Sequence, residues 1–509
     1  MSKFKEPGRL EKKLGLRTNP TVFWTSALLI LFFVLLTLIY QDSVEQFFTE
    51  LQLNISQKMG WFYILAINFI LVFAIYLGFS KYKHIRIGGQ DSKPEFSFLS
   101  WFAMLFNAGI GLALMFYSIA EPILHYSNPP YGTAETTASA QLAMGLTFLH
   151  WGFHGWAVYA IVGLSVAFFA YNKGMPLSIR SVFYPIIGER IYTWIGDLID
   201  IIAVVATLFG LATTLGLGIK HISAGLFYLF DWPQTPEFQV FLIMLITLFA
   251  TISVVLGLQH GIRRLSILSS GLILVLMLFM LIAGPTLFIV NSFVQNLGFY
   301  LQNLPELGTW SAVYTPGDWQ AGWTIFYWGW WFAWAPFVGI FIARISRGRN
   351  IREFIFGVLL APTLAVFVWI TVFGSTALHE ELYGAGGIVK AVNANLSTSM
   401  YVLLERFPLQ GISSVFVILA GVIFFVTSSD SGSLVVDFIT TGGQHNPPKR
   451  QRIFWALIEG IVASVLVLGG GLIALQTGSL ATGVPVAIVL LFVCFGLKKG
   501  FDEYLKNGS

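Results

Sequence analysis

Uncharged apolar segments long enough to cross a lipid bilayer recur along the whole chain, and they constrain its fold more than any other feature. Only 11% of the residues are charged and 56% are apolar, whereas soluble domains carry roughly 25% charged residues. A helix of about 20 apolar residues spans the hydrocarbon core with every backbone polar group bonded internally. We therefore predict an all-α polytopic membrane protein with twelve transmembrane helices. The predicted spans are residues 21–40, 60–80, 98–119, 140–171, 193–217, 239–257, 265–290, 321–343, 354–376, 411–428, 453–475 and 480–497.

The basic residues predict the orientation of these spans. If the N-terminus is cytoplasmic, all but four of the 29 lysines and arginines fall on the cytoplasmic side; the exceptions are Lys58, Lys220, Lys390 and Arg406. Cytoplasmic loops of membrane proteins are enriched in these residues. Adding or removing one span would place the basic residues on both sides of the membrane and destroy the asymmetry. We expect both termini in the cytoplasm. The net charge of +4 then reports membrane orientation and not nucleic-acid binding.

The segments outside the spans are short. Residues 1–20 are expected to form a basic cytoplasmic tail, and no small-residue cleavage site follows the first apolar run. We therefore expect that run to be retained as a transmembrane helix and not removed as a signal peptide. Residues 291–320 keep apolar positions and predict an amphipathic helix or loop on the extracytoplasmic surface. Residues 498–509 are expected to be a short cytoplasmic tail.

Several kinds of chemistry find little support. No Gly-x-x-x-x-Gly-Lys-Ser/Thr loop is present, which argues against ATP-driven pumping. His150 and His154 lie four apart but show no further clustered ligands, so helix packing is favoured over a metal site, and the lone Cys494 lies within the last span as an apolar filler. Carboxylates within or close to the predicted spans have no catalytic spacing, so a membrane enzyme is disfavoured and no cofactor is expected. These carboxylates are Asp197, Asp200, Asp430, Asp437 and Glu459.

Five tryptophans crowd the uncharged segment at residues 321–343: Trp323, Trp328, Trp330, Trp331 and Trp334. Tryptophan normally lies at the membrane–water interface, but Trp330 and Trp331 lie at the midpoint of this segment. Indole rings at that depth present an electron-rich surface that attracts a quaternary ammonium by cation–π interaction. The alternative is that the rings fill gaps between helices. A channel would require a continuous polar pore, whereas the interior-facing candidates here are aromatic and uncharged.

The later spans divide into two matching sets. Setting aside the first two leaves ten, as in transporters built from two inverted repeats of five helices. The third span contains the glycine stretch at residues 108–113, and the eighth contains Pro336. These matching positions predict an interrupted helix in each half, although glycines also simply permit close packing. Backbone N–H groups freed at a break suit a carboxylate, and freed carbonyls suit a cation.

Four motifs carry a specific resemblance. They are MFYSIAEP from residue 115, HWGFHGWAVY from residue 150, WTIFYWGWWFAWAPFVG from residue 323 with ARISRGR after it, and FFVTSSDSGS from residue 424. Together they resemble the betaine/choline/carnitine transporter (BCCT) family over nearly the full chain. The resemblance implies a LeuT-like, five-plus-five inverted repeat, formed by residues 98–290 and 321–497, behind two extra helices in residues 21–80. It also implies a homotrimer in the cell inner (plasma) membrane that moves trimethylammonium or related solutes.

The resemblance further implies the residues that hold the solute. Its aromatic box maps onto Trp151, Trp156, Tyr159, Trp331 and Trp334. Within each helix the members three residues apart, such as Trp156 with Tyr159 and Trp331 with Trp334, are expected to share a face. The glycine stretch would add Ala108, Gly109, Gly111 and Ala113.

Sodium is the coupling ion that the resemblance implies. One family site maps onto Asn107, Ile110, Phe424, Thr427 and Ser428. Hydroxyl oxygens suit a small hard cation, although such groups in membrane helices often bond back to the preceding turn. A second site matches at Thr207 and Phe337, but the family's other threonine position is Leu211, with Thr213 and Thr214 nearby. Sodium-independent exchangers of the family carry an arginine where this chain has Ser269, which favours symport.

The small residue Ala113 narrows the choice of solute. Betaine carriers of the family tend to have glycine, and choline carriers aspartate, at the position of Ala113. Without an acidic group, a zwitterion such as glycine betaine is favoured over choline. Carnitine, ectoine, dimethylsulfoniopropionate and a sodium-independent exchange mode are the alternatives. Osmosensing members carry long charged tails, so activation by hyperosmotic stress does not follow from this sequence, although osmoprotection is a role that such solutes serve.

Overall fold

The computed structural model describes residues 15–109, 111–256, 262–315, 317–443 and 448–506. Within these ranges the chain forms helices joined by short connections, and no strand is formed. One isolated β-bridge pairs Arg86 with Asn350. Because the backbone groups of a helix bond within the segment, this architecture is the one that a chain of apolar segments can adopt in lipid.

Fourteen helices of twelve or more residues make up the described fold. They are α1 (Pro20–Ile39), α2 (Gln41–Phe79), α3 (Phe98–Gly109), α4 (Gly111–Ser127), α5 (Thr137–Trp151), α6 (Phe153–Lys173), α7 (Trp194–Phe230), α8 (Pro236–Leu256), α9 (Ile262–Ala283), α10 (Thr286–Thr309), α11 (Thr324–Ile345), α12 (Ile351–Ile370), α13 (Gln410–Thr440) and α14 (Lys449–Lys506).

The number of membrane-crossing helices agrees in part with the predicted twelve. By length and composition, nine described helical segments could cross a membrane, or up to eleven if each of two bent pairs forms one span. The bent pairs are α3 with α4, at 64°, and α9 with α10, at 111°. Helix α14 accounts for one difference, since its 58 residues leave helical dihedral angles at Gly470 and Gly471. It therefore joins two segments that were predicted separately.

Helix α11 lies at the centre of the fold. Every residue in its apolar window is buried within the protein, whereas only 39% of the window in α1 is buried. Large apolar side chains of α1, including Leu28, Phe32 and Ile39, are exposed, as expected for a lipid-facing helix. Helix α11 packs against α6, α7 and α14. The tryptophan-rich segment is therefore interior, surrounded by the other helices.

The two predicted helix interruptions have different outcomes. The third predicted span is broken, because α3 ends at Gly109 and α4 begins at Gly111. The predicted break at Pro336 is wrong, since α11 continues through this residue. Proline removes one backbone N–H donor and crowds the preceding turn. Here the helix is enclosed by its neighbours along its whole length, and membrane helices tolerate proline where adjacent helices support the backbone.

Buried ion pairs account for three of the five carboxylates that the sequence places within or close to the predicted spans. The guanidinium of Arg180 lies 2.9 Å from an Asp197 oxygen and 2.6 Å from an Asp200 oxygen. Arg452 lies 3.1 Å from an Asp430 oxygen. A buried carboxylate needs such a partner, because an unpaired charge loses its hydration without compensation. These groups therefore join helices and do not form a catalytic cluster.

Candidate solute site

Four of the five predicted aromatic residues form one buried cluster between α5, α6 and α11. The Trp331 ring centroid lies 5.0 Å from that of Tyr159, 6.2 Å from that of Trp151 and 6.3 Å from that of Trp156. Trp156 and Tyr159 are 5.6 Å apart at 89°, which fits their expected shared face. Rings grouped this closely allow one onium group to lie within about 6 Å of several centroids, the range of cation–π attraction.

Glycines allow the tryptophans to approach one another. Gly152 separates α5 from α6 with non-helical dihedral angles of −93° and −144°, so the chain changes direction between Trp151 and Trp156. Gly155 lies directly beneath the Trp331 ring, where an added Cβ would be 2.3 Å from ring carbons. No side chain larger than hydrogen fits at that separation, because carbon atoms prefer about 3.5–4.0 Å.

Trp334 lies apart from the Trp331 group. Its ring contacts are with Trp330, at 6.1 Å, and Phe337, at 5.8 Å. It packs over Gly210 of α7, whose added Cβ would lie 2.4 Å from the ring. The two rings therefore pack against different helices, although they lie three residues apart on α11. Three helical positions leave a turn incomplete by about 60°, and this rotation directs Trp331 towards α6 and Trp334 towards α7.

Three further aromatic residues complete the arrangement. Trp330 lies 6.2 Å from Trp151 and 6.3 Å from Tyr117, and so connects Trp334 with the Trp151 side of the cluster. Tyr327 lies 5.5 Å from Trp151 and 5.8 Å from Tyr117. The sequence could have predicted the positions of Tyr327 and Trp330, because these residues and Trp334 follow the i, i+3, i+7 spacing of one helix face. Tyr117 comes from a different helix, which spacing could not reveal.

A buried carboxylate that the sequence interpretation missed holds part of this site. Glu121 of α4 is fully buried. The indole N–H of Trp151 donates to its Oε2 at 2.8 Å, and the hydroxyl of Tyr327 donates to the same oxygen at 2.5 Å. Nδ1 of His150 and Nε2 of His125 lie 2.6 Å and 3.3 Å from its Oε1. Glu121 thus links α4, α5 and α11.

This cluster corrects two predictions. Glu121 is a buried carboxylate of an apolar helix that the five named from the sequence do not include, and His150 does have clustered partners. Together Glu121, His125 and His150 place carboxylate and imidazole atoms within 4.8 Å of one another. His154, by contrast, lies 3.1 Å from the Asn68 amide oxygen and packs on Trp328. The contact between Glu121 and His125 could have been predicted from their i, i+4 spacing. The contact between Glu121 and His150, 29 residues apart in the sequence, could not.

The glycine stretch lies against α13. Gly111 has φ +22°, and an added Cβ would lie 2.6 Å from the Phe424 ring, so glycine is required by both conformation and space. Ala113 is buried in α4. The predicted residue Ile110 lies outside the described residues, and so do the side chains of Asn107 and Ala108 and the surroundings of Gly109.

The predicted hydroxyls of the first sodium site lie in α13. Phe424, Thr427 and Ser428 are all buried. The hydroxyl of Thr427 donates to the Phe424 carbonyl at 3.1 Å, which is the bond to the preceding turn that membrane hydroxyls commonly make. Its oxygen lone pairs stay available to a cation. Because Phe424 packs on Gly111, this part of α13 lies beside the break between α3 and α4.

Thr207, predicted for the second sodium site, is one of several buried residues whose hydroxyl has no partner among the described residues. Thr207 of α7 is fully buried, and its Oγ1 has no hydrogen-bond partner among the described residues. Thr213 differs, since its hydroxyl donates to the Leu475 carbonyl at 2.6 Å, and Thr214 lies 3.3 Å from the Gly210 carbonyl. Phe337 is buried in α11. An unsatisfied buried hydroxyl costs free energy unless something else binds it.

Comparison with known proteins identifies the family. The family model for BCCT, betaine/carnitine/choline family transporters, matches residues 21–506. The chain belongs to this family. The BCCT match covers all fourteen helices except the first residue of α1, so the aromatic cluster and the hydroxyls of α13 lie within it.

Individual relatives agree with the BCCT assignment. An uncharacterized transporter of Mycobacterium tuberculosis is 46% identical over 492 residues, which is 95% of this chain and 82% of that protein. A glycine betaine transporter of Acinetobacter baylyi is 42% identical over 482 residues, or 94% of this chain and 73% of that protein. A glycine betaine/proline/choline transporter of Vibrio parahaemolyticus is 42% identical over 508 residues, 96% and 91% of the two chains. This BCCT protein is therefore a multi-pass membrane transporter and not an enzyme.

Proposed function

We propose that this protein is a sodium-coupled secondary symporter that imports a zwitterionic quaternary-ammonium solute, with glycine betaine favoured. The observation that carries the proposal is the buried aromatic cluster on α5, α6 and α11, with Trp331 in contact with Trp151, Trp156 and Tyr159. Cation–π contacts contribute about 0.5–2 kcal/mol each. Several together bind an onium group while still allowing its release.

Unpaired donors near the rings suit the anionic end of a zwitterion. The indole N–H groups of Trp156, Trp330 and Trp334 have no partner among the described residues. A solute carboxylate would accept hydrogen bonds from such groups. Trp369 and Trp455 also have unpaired N–H groups, so the grouping of the rings, more than the unpaired donors, supports the proposal. The names of two relatives include glycine betaine.

Sodium supplies the driving force in this proposal. Each sodium ion that enters down the membrane potential provides about 2.3 kcal/mol per 100 mV. The buried hydroxyls of Thr427 and Ser428 beside the α3–α4 break support one site, and the unpartnered Thr207 hydroxyl supports a second. The second site keeps one hydroxyl where the family has two threonines. We expect it to bind sodium more weakly.

The proposed architecture follows the family. We infer twelve membrane spans, with α14 divided at Gly470 and Gly471, arranged as five-plus-five inverted repeats behind α1 and α2. The non-helical dihedral angles at these glycines support the division. We also propose a homotrimer in the inner (plasma) membrane, by analogy with the family, with both termini in the cytoplasm. The distribution of lysine and arginine supports this orientation.

Choline import is a second candidate, and Glu121 favours it. The carboxylate of this residue lies among the aromatic rings, 2.8 Å from the Trp151 indole nitrogen. A cation without its own carboxylate could be balanced by this buried negative charge. The name of the Vibrio parahaemolyticus relative also includes choline.

Uptake by purified protein in liposomes tests both candidates. Labelled glycine betaine, choline, carnitine, ectoine and dimethylsulfoniopropionate would be offered with and without an inward sodium gradient, at one membrane potential. We expect accumulation of glycine betaine that requires sodium. Accumulation of choline alone would support the second candidate. Uptake that needs solute on both sides and no sodium would indicate an exchanger.

A further inference from the structure

Among the described residues, Glu121, His125 and His150 form a cluster of three carboxylate and imidazole side chains that has no counterpart elsewhere in the interior. One carboxylate and two imidazoles meet where α4 packs on α5, and all three side chains are fully buried. Glu121 Oε1 lies 2.6 Å from His150 Nδ1 and 3.3 Å from His125 Nε2. These atoms are close enough for protons to be shared among three titratable groups.

Charge balance in this group depends on protons. No lysine or arginine nitrogen among the described residues lies within 4.0 Å of the Glu121 carboxylate. The other titratable groups that face it are Tyr117 on α4 and Tyr327 on α11, with His154 on α6 facing His150. One imidazolium beside the carboxylate makes the group neutral overall. Loss of that proton leaves a buried negative charge without a cationic partner, which is costly in a dry site.

The same group holds the solute cluster in place. Glu121 accepts hydrogen bonds from Trp151 and Tyr327, and the backbone carbonyl of His150 accepts one from the Trp331 indole at 2.8 Å. The His150 ring stacks on Tyr327 at 4.6 Å and 10°. A change of protonation here therefore acts directly on rings that we assign to the solute.

We propose that Glu121, His125 and His150 form a proton-binding site whose proton competes with the onium group of the solute. The proposal rests on the function proposed above, in which this aromatic cluster binds the solute. When an imidazolium loses its proton, the net negative charge beside the rings attracts the onium group, since opposite charges interact strongly at low dielectric. Solute binding then releases a proton, and affinity rises with pH.

A metal ion fits this geometry less well than a proton. Zinc ligands lie about 2.0–2.2 Å from the metal, so two atoms that share one zinc ion stand well over 3 Å apart. Glu121 Oε1 and His150 Nδ1 are separated by 2.6 Å, which is a hydrogen-bond distance. The two atoms would have to move apart to admit a metal.

Histidine titration by NMR tests the proton site without any transport. In the full-length protein with labelled histidine, the signals of His125 and His150 would be assigned from H125Q and H150Q and followed from pH 5 to 9. We expect at least one to titrate and its midpoint to fall by about one pH unit with saturating glycine betaine or choline, whichever tryptophan fluorescence shows to bind, because proton and ligand affinities change by the same factor. In E121Q the solute-dependent shift should disappear. H221Q supplies the control, since His221 is a buried histidine stacked on Tyr401.

Three outcomes would overturn the proposal. The first is that neither His125 nor His150 titrates between pH 5 and 9. The second is titration that choline and glycine betaine leave unchanged, while tryptophan fluorescence shows that they bind; this outcome would leave the transport function intact. The third is stoichiometric zinc binding that is lost in E121Q and H150Q, which would assign a metal site. Absence of solute binding in the fluorescence measurement would instead contradict the function proposed above.

Discussion

At the scale of single residues, the position of Trp331 is fixed from three directions. Its indole N–H donates to the His150 carbonyl at 2.8 Å, its ring lies 5.0 Å from Tyr159, and Gly155 leaves room beneath it. A ring held by packing and by one hydrogen bond is preorganised, so little ordering cost remains when a ligand binds. This arrangement suits a ring that contacts the solute.

Replacing Trp331 or Trp334 with leucine tests their contact with the onium group. Leucine keeps an apolar side chain but removes the ring quadrupole, so solute affinity should fall about tenfold or more, a loss of about 1.4 kcal/mol. Calorimetric titration of the purified variants would measure it. Trp369→Leu is a matched control, because Trp369 is a buried tryptophan of α12 that packs on Phe373. If both site variants bind as tightly as the parent, the rings do not hold the solute.

Ala113→Asp tests whether residue 113 faces the solute. The new carboxylate should weaken binding of a zwitterion and admit choline, because like charges repel strongly in a dry site. Competition between labelled betaine and unlabelled choline in liposomes would show whether the preference moves towards choline. Ala103→Asp on α3 would show the effect of a carboxylate elsewhere in the same region. Stronger betaine uptake without any gain for choline would place residue 113 away from the solute.

At the scale of helices, contacts within one element could be predicted and contacts between elements could not. The pairing of Trp156 with Tyr159 follows from helical spacing, and the break before Gly111 follows from the glycine pattern. The continuity of α11 through Pro336 did not follow, because it depends on neighbouring helices. The bond between Glu121 and His150 depends on how α4 packs on α5, which no spacing within a single helix encodes.

The close packing of α6 on α11 yields a sharp prediction at Gly155. Gly155→Ala places a Cβ 2.3 Å from the Trp331 ring, so the ring must move and solute affinity should fall by about tenfold or more. Gly271→Ala on α9 is the control, since its Cβ meets no atom within 4 Å and alanine favours the helix. Binding affinity and thermal unfolding would be measured for both. Unchanged affinity in Gly155→Ala would show that the Trp331 position does not matter for the solute.

The hydroxyls of α13 are tested by replacing Thr427 and Ser428 together with alanine. We expect the sodium concentration for half-maximal uptake to rise about tenfold or more, because two oxygen ligands are lost, while solute still binds weakly to the aromatic cluster. Ser413→Ala, at the beginning of the same helix and bonded to the Leu409 carbonyl, should have no such effect. An unchanged sodium dependence would assign these hydroxyls to bonds within the helix.

At the scale of the whole molecule, α11 is enclosed by the other helices and carries a dense group of aromatic side chains, whereas α1 exposes much of its apolar surface. Such an interior offers a solute cation–π contacts where a soluble protein would offer charges. Transport also requires that the helices around the site rearrange, and the bend of 64° between α3 and α4 lies where the proposed sodium ligands and Gly111 meet. Sodium bound at this break would stabilise one arrangement of the two helices over the other.

The central claim is that a sodium gradient drives an onium zwitterion through the aromatic cluster. The most direct measurement is uptake of labelled glycine betaine into liposomes that contain the purified protein, with sodium or potassium outside at the same membrane potential. The account predicts accumulation above the external concentration only with sodium, and an initial uptake rate at subsaturating glycine betaine that falls about tenfold in Trp331→Leu but not in Trp369→Leu. Equal accumulation with both cations, or an unchanged uptake rate in Trp331→Leu, would contradict it.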